Sequence, residues 1–251
     1  MRILVTNDDG IHGPGLETLE KIARTISDDV WVVAPDVERS AAGRSLTIAH
    51  PLRYRKIDQR HFETTGTPAD CVVMAVRKIM PGLPDLLLSG VNRGQNIADD
   101  ITYSGTIAAA MEGTSLGIKS IALSQVLGMY GRDENFNVAE KHGPTVVQKL
   151  MKMDFGAGVL MNVNFPDCRP DEMAGIDLTI QGKRDQNYLT VDERVDARGQ
   201  AYFWLGFARE RGSPPKGTDL AAVFNKRISI TPLHTNLTQV DALSALQSVF
   251  P

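Results

Sequence analysis

The sequence predicts an α/β protein: a doubly wound, mostly parallel sheet with helices on both faces and a β-rich C-terminal arm. Three observations carry this. Over the first two-thirds of the chain, short apolar runs alternate with stretches whose apolar residues recur at helical spacing. The runs are apolar on successive residues, as in strands covered on both faces. After Pro166 the alternation stops, and strand-like segments stand between charged loops.

The elements follow in order. Ile3, Leu4 and Val5 form the first buried strand. Gly13-Pro14-Gly15 breaks the chain, and Leu16, Leu19, Ile22, Ala23 and Ile26 then mark one face of a helix. Residues 30–34 make a second strand, stopped by Pro35, and residues 52–65 alternate as a hairpin does. Thr67-Pro68-Ala69-Asp70 has the form of a helix start. Threonine caps, proline suits the first turn, and aspartate favours the positive end of the dipole. Val72, Val73, Val76 and Ile79 continue that helix. Residues 85–90 read as a buried strand, 106–112 as a helix and 120–123 as a strand. Residues 137–152 read as a helix that Gly143-Pro144 should interrupt or kink. Residues 159–163 form the next strand. Residues 176–180, 201–207 and 227–230 are strands of the arm, and 241–249 a short terminal helix. Residues 1–165 are thus expected as the core domain and 166–251 as a β-rich extension with a C-terminal helix.

Composition narrows the function. A chain of 251 residues suffices for one large α/β domain with an appended arm. A net charge of -3 lacks the basic excess of proteins that track phosphate backbones, so no nucleic-acid polymer is expected as a partner. The two cysteines, Cys71 and Cys168, form neither a CxxC pair nor a disulfide framework, which suits a reducing compartment. The first residues run straight into a strand, without the apolar stretch and cleavage site of a signal peptide. No apolar run reaches the roughly 18 residues of a membrane helix. The expectation is a cytoplasmic protein with no membrane partner.

In an open α/β sheet, ligands bind beyond the carboxyl ends of the strands. Asn7-Asp8-Asp9-Gly10 lies there, directly after the first strand. Adjacent carboxylates repel each other unless a cation or donors offset them, and hard oxygen ligands suit magnesium, manganese or calcium. Asp-Asp-Gly is equally an ordinary turn sequence. Glu38-Arg39-Ser40 follows the second strand. Its serine can ligate a metal or hold phosphate, although alone the segment reads as a flexible polar loop. Ser89-Gly90-Val91-Asn92-Arg93-Gly94-Gln95-Asn96 follows the strand at 85–90. Asn92 and Asn96 offer amide oxygens to a cation and amide hydrogens to phosphate, and the plainer reading is an asparagine-glycine turn. Tyr103-Ser104-Gly105-Thr106 opens a helix whose free amides and dipole bind anions. Simple capping by Ser104 or Thr106 is the alternative.

Other signatures are missing. His12, His50, His61, His142 and His234 show no HExxH or paired metal spacing; His12, near Asp8-Asp9, could touch substrate, although a loop histidine is the plainer reading. There is no GxSxG elbow, no Walker A sequence and no GxGxxG after the first strand. Asp8 is followed by Asp9-Gly10, not by the DxD pattern of haloacid-dehalogenase-like phosphatases, which argues against an aspartyl-phosphate intermediate of that type.

Together and in this order, the clusters resemble the SurE survival-protein family of nucleotidases. The resemblance is carried by Arg2-Ile3-Leu4-Val5-Thr6-Asn7-Asp8-Asp9-Gly10, by Ala34-Pro35-Asp36 with Arg39-Ser40, and by Gly66-Thr67-Pro68-Ala69-Asp70-Cys71. The segments 89–96 and 103–106, Gly217-Thr218-Asp219 and Ser229-Ile230-Thr231-Pro232-Leu233 also match. It spans nearly the whole chain, densest over residues 1–125 and loosest across 126–215.

The resemblance implies a Rossmann-like core and a metal-dependent phosphatase acting on nucleoside monophosphates, a 5'-nucleotidase. It implies one divalent cation per subunit, magnesium or manganese, on Asp8, Asp9, Ser40 and Asn92. Phosphate contacts fall on Asn96, Ser104, Gly105 and Thr106, which with Asp8 and Asp9 make up the catalytic set. It also implies a homodimer or homotetramer that exchanges C-terminal elements, so residues 166–251 are expected to serve oligomerisation. Ala41 departs from the pattern, since the family often has glycine after the metal-binding serine. Gly143-Pro144 is a second departure. No general base stands out: Asp9 is nearest, but a carboxylate on a metal is a poor base. The reading from another class is a nucleotide-sensing module that binds without turnover, which has no use for paired carboxylates. A third is a metal-dependent hydrolase of short polyphosphates or phosphorylated sugars.

Overall fold

A computed structural model describes residues 1–128, 135–184, 189–207 and 213–250. The first half of the chain forms β1 (Arg2–Thr6), α1 (Pro14–Arg24), β2 (Asp29–Pro35), β3 (Tyr54–Lys56), β4 (His61–Thr64), α2 (Pro68–Met74), β5 (Leu86–Arg93), α3 (Gly105–Ser115) and β6 (Lys119–Gln125). The second half forms α4 (Asn137–Met151), β7 (Val159–Phe165), β8 (Ile176–Leu178), β9 (Leu189–Val195), β10 (Ala201–Phe207), α5 (Asp219–Phe224), β11 (Ile228–His234) and α6 (Val240–Gln247). A nine-stranded sheet runs in the order β3-β4-β2-β1-β5-β6-β7-β11-β8. Its centre, from β4 to β7, is parallel. β3 pairs antiparallel with β4, and β11 antiparallel with β7. The expected α/β class and the 52–65 hairpin are both present.

The chain leaves β1 toward β2 on one side and returns to β5 on the other. The strand order therefore reverses between β1 and β5, where the loops splay apart and open sheets bind ligands. Each strand feeds two cores because its successive side chains point to opposite faces. Ile3, Val5, Leu86 and Leu88 face α1 and α4, packing on Leu16, Leu19, Ile22, Val146 and Val147. Leu4, Leu87 and Ala122 face α2 and α3, packing on Cys71, Val72, Ile107 and Ala110. Fully burying a large aliphatic side chain contributes about 1.5–3 kcal/mol, so these two layers hold the strand ends rigid.

Local sequence sets the helix starts. Thr67 Oγ1 accepts from the Asp70 amide while the Asp70 carboxylate accepts from the Thr67 amide, closing a capping box on α2. Ser104 caps α3 in the same manner, accepting from the Ile107 amide at 3.1 Å. α4 corrects one expectation, for it runs uninterrupted from Asn137 to Met151 with Pro144 inside. Gly143 lacks the Cβ that a following proline ring would strike, and a Cβ there would lie 2.7 Å from Ile22 Cδ1. Val138 and Ala139 before the proline, and Val146, Val147 and Leu150 after it, are all buried. Their packing offsets the roughly 3 kcal/mol that an interior proline costs.

Beyond Pro166 the strands divide. β11 and β8 join the main sheet, and β9 and β10 form a separate antiparallel ribbon. The strand expected at 227–230 is thus longer than anticipated and sits against β7.

Candidate metal and phosphate site

β1 ends by delivering Asn7, Asp8 and Asp9 to the switch point. Asn7 and Asp8 are buried and Asp9 is half-buried. Asn7 Nδ2 donates to the Gly10 carbonyl at 2.9 Å, closing the turn, and Gly10 takes a left-handed φ of +93°. The Arg39 amide donates to the Asp8 carbonyl and the Ile11 amide to the Pro35 carbonyl, both at 2.8 Å. These bonds draw the loop after β2 onto the loop after β1.

Two further segments close on the pair. Thr106 Oγ1 donates to Asp8 Oδ1 at 2.5 Å. Gly105 makes that approach possible, because a Cβ there would lie 2.8 Å from Asp8 Cβ. The Arg93 amide at the end of β5 makes a long contact of 3.4 Å to Asp9 Oδ2.

The electrostatics are those of a site short of positive charge. Burial raises the Asp8 carboxyl, the Thr106 hydroxyl pulls it back and the Asp9 charge adds a smaller push, leaving it at about 6. Asp9 is also raised, by burial first and then by Glu38, against the Arg93 amide. None of the largest influences on Asp8 comes from a basic side chain. Asn7 Oδ1 is buried with no hydrogen-bond partner among the described residues. A divalent cation fits these residues: it would answer the paired carboxylates, and the neighbouring amide and hydroxyl oxygens are the hard donors it takes.

The remaining expected ligands are placed less directly. Asn92 Nδ2 donates to the Gly94 carbonyl at 2.9 Å, which leaves Oδ1 as the atom a cation would take. Ser40 lies on the loop tied down through Arg39, but its exposed hydroxyl donates to Glu38 Oε1 at 2.7 Å. The structure brings Asp8, Asp9, Gly105 and Thr106 into contact and the Ser40 loop beside them, with the Ser40 hydroxyl turned to its own neighbour.

Comparison with known proteins identifies the family. The profile of the family described as "Survival protein SurE" matches residues 3–188. The chain belongs to the SurE family. Curated SurE relatives described as "5'-nucleotidase SurE" include one from Parvibaculum lavamentivorans, 56% identical over 248 residues that cover 98% of this chain and 90% of the relative. Another, from Methylorubrum extorquens, is 54% identical over 252 residues, covering 100% of this chain and 99% of the relative. The crystal structure of SurE from Aquifex aeolicus superposes with a TM-score of 0.84 at 38% identity, covering all of both chains.

Against the SurE pattern, Ala41 is informative. It adopts φ +57°, the left-handed conformation that favours glycine, so alanine bears the strain of the turn after Ser40. Sequence reasoning missed the support beneath Asn96. The Asn96 amide donates to Asn164 Oδ1 at 2.8 Å, and its carbonyl accepts from Asn162 Nδ2 at 2.8 Å and Asn164 Nδ2 at 3.1 Å. Its own Nδ2 donates to Ser124 Oγ at 2.8 Å. Asn162, Asn164 and Ser124 are fully buried. The signal was available: two asparagines two residues apart in an otherwise apolar strand share a face and need buried partners.

Proposed function

We propose that this chain is a 5'-nucleotidase, a divalent-cation-dependent phosphatase that converts nucleoside monophosphates to nucleoside and phosphate. The observation that carries the reading is the Asp8-Asp9 pair lying against the N-terminus of α3, with Asp8 buried and no basic side chain among the strongest influences on it. Asp8, Asp9, Asn92 and Ser40 are the residues that would hold one magnesium or manganese ion per subunit. When bound, the cation supplies Lewis acidity toward a phosphate oxygen and acidifies a water.

The protein's own groups do the rest. The first-turn amides of Gly105 and Thr106, helped by the dipole of α3, receive phosphate oxygens. Ser104 Oγ accepts from Ile107 and retains its own hydrogen to donate to the same group. Asn96 Nδ2 carries two hydrogens, one given to Ser124 and one for phosphate. The Thr106 hydroxyl fixes the Asp8 carboxylate. Because these donors are buried and already oriented, they stabilise charge in the transition state without reorganising. The nucleoside departs as the alcohol.

The setting belongs to the same proposal. Cys71 and Cys168 are buried thiols, which suits a cytoplasmic site of action, and no helix of the described residues is long and apolar enough to cross a membrane. Phe203, Trp204 and Leu205 on β10, and Leu243 and Leu246 on α6, are exposed, which supports a homodimer or homotetramer assembled through residues 166–251. The test is free phosphate released from AMP and GMP with magnesium or manganese, beside a chelator control. Chelator-sensitive release supports the enzyme, and nucleotide binding with no release supports the sensor module instead.

A further inference from the structure

Gly217-Thr218-Asp219 has no place among the proposed metal or phosphate contacts, yet Asp219 is wholly buried. Its Oδ2 accepts from the Ala98 amide at 2.9 Å. Its Oδ1 accepts from the Gly182 amide at 2.9 Å and from the Leu220 amide at 2.7 Å. One carboxylate thus joins three segments, and Ala98 stands two residues after Asn96.

The Ala98 peptide is held on both sides. Gln181 Nε2 donates to its carbonyl at 2.9 Å. Ala98 has φ +52°, a conformation that costs a non-glycine residue roughly 1–2 kcal/mol and persists only where its surroundings enforce it. Ile97 and Ala98 pack in a small cluster with Val126, Leu220 and Val223. Further along, the Arg184 amide donates to Asp99 Oδ2 at 2.6 Å and its guanidinium pairs with Asp100. The Asp100 carbonyl in turn accepts from the Ser104 amide at 3.2 Å. Residues 97–104, which connect Asn96 to the start of α3, are therefore clamped from outside by residues far along the chain. Gly182 is required for the closeness, since a Cβ there would lie 2.7 Å from Asp219 Oδ1.

We propose that Asp219 is a positioning residue for the phosphate cradle: it fixes residues 97–104 and so sets Asn96 against the N-terminus of α3. This rests on reading those two elements as the phosphate contacts. A carboxylate serves because it only accepts, and all three partners are N–H donors. An amide in its place would turn an NH2 group toward at least one of them. Misplacing catalytic donors by about 1 Å lowers rate by about a hundredfold, so a loosened connection should show in turnover.

The experiment compares Asp219→Asn with Thr218→Ala in the full chain. Thr218 caps α5 by accepting from the Ala221 amide, and its hydroxyl donates to the Pro215 carbonyl, not to Ala98. Three quantities are read: kcat for AMP with saturating manganese, inhibition by inorganic phosphate, and amide hydrogen exchange over residues 97–107. Asp219→Asn should lower kcat by about tenfold or more, weaken phosphate inhibition and speed exchange in that segment. Thr218→Ala, matched for loss of Tm, should stay within about twofold on all three. If Asp219→Asn does not fold, Gln181→Ala removes the second tie to Ala98 and should lower kcat about threefold with faster exchange at residues 97–104. Equal effects of the Asp219 and Thr218 variants, or loss of Tm with kcat, phosphate inhibition and exchange unchanged, would overturn the proposal. Should the wild-type chain release no phosphate, the phosphatase reading fails, while phosphate binding and exchange still decide the role of Asp219.

Discussion

Thr106 reaches across 98 residues of sequence to place its hydroxyl 2.5 Å from Asp8 Oδ1. The bond ties the first turn of α3 to the end of β1, so the proposed anion and cation sites are parts of one object. Replacing Thr106 by valine keeps the shape and removes the donor. A buried carboxylate left without its hydrogen bond costs about 1–3 kcal/mol, so Thr106→Val should lower the Tm of the cation-free protein and weaken manganese binding. Thr106→Ser should restore both. Thermal melts and a manganese titration on the three proteins make the check.

Asp8→Asn separates function from folding. The substitution removes a buried charge that the cation-free fold disfavours, so stability without cation should be unchanged or higher. Turnover should fall by at least roughly a hundredfold and cation affinity with it. Phosphate release at the wild-type rate from this variant would remove Asp8 from the site.

The fold's outline was legible because its strands are apolar on successive residues and its polar clusters fall where those strands stop. Asp8, Asp9 and Asn92 could be placed at the carboxyl ends of strands from chain order alone. What stayed hidden depends on partners distant in sequence. The continuity of α4 through Pro144 rests on Ile22 of α1 filling the space left by Gly143. The seat of β11 beside β7 follows from pairing that no local pattern encodes. The Ser40 loop was legible as a loop, but the turn of its hydroxyl toward Glu38 was not.

Ala41 offers a test of backbone strain. At φ +57° alanine costs roughly 1–2 kcal/mol relative to a right-handed residue, and glycine regains part of this while adding entropy to the unfolded chain. Ala41→Gly should raise unfolding free energy by about 0.5 kcal/mol, and Ala41→Val should lower it by more than that. Urea denaturation midpoints at constant m measure both.

His61 supplies a pH dependence away from the site. Its Nε2 contacts Glu20 Oε2 at 3.1 Å and its Nδ1 contacts Asp58 at 2.9 Å. Burial alone would lower its pKa, but the Glu20 and Asp58 carboxylates outweigh it and the group is raised above 6.5. The folded protein thus prefers the charged imidazole. The stabilisation is complete below the ordinary histidine pKa and fades as pH rises through the raised value. His61→Gln should therefore destabilise more at pH 6 than at pH 9, read from denaturation curves at the two values. An equal loss at both would show that the ring acts through packing alone.

The most direct measurement is phosphate release from AMP across a titration of free manganese, run on the wild-type protein and Asp9→Asn together. The account predicts no release in chelator, saturable recovery for the wild type as manganese is added, and a curve for the variant displaced to far higher manganese or absent. Release that persists in chelator, or identical curves for the two proteins, would contradict it.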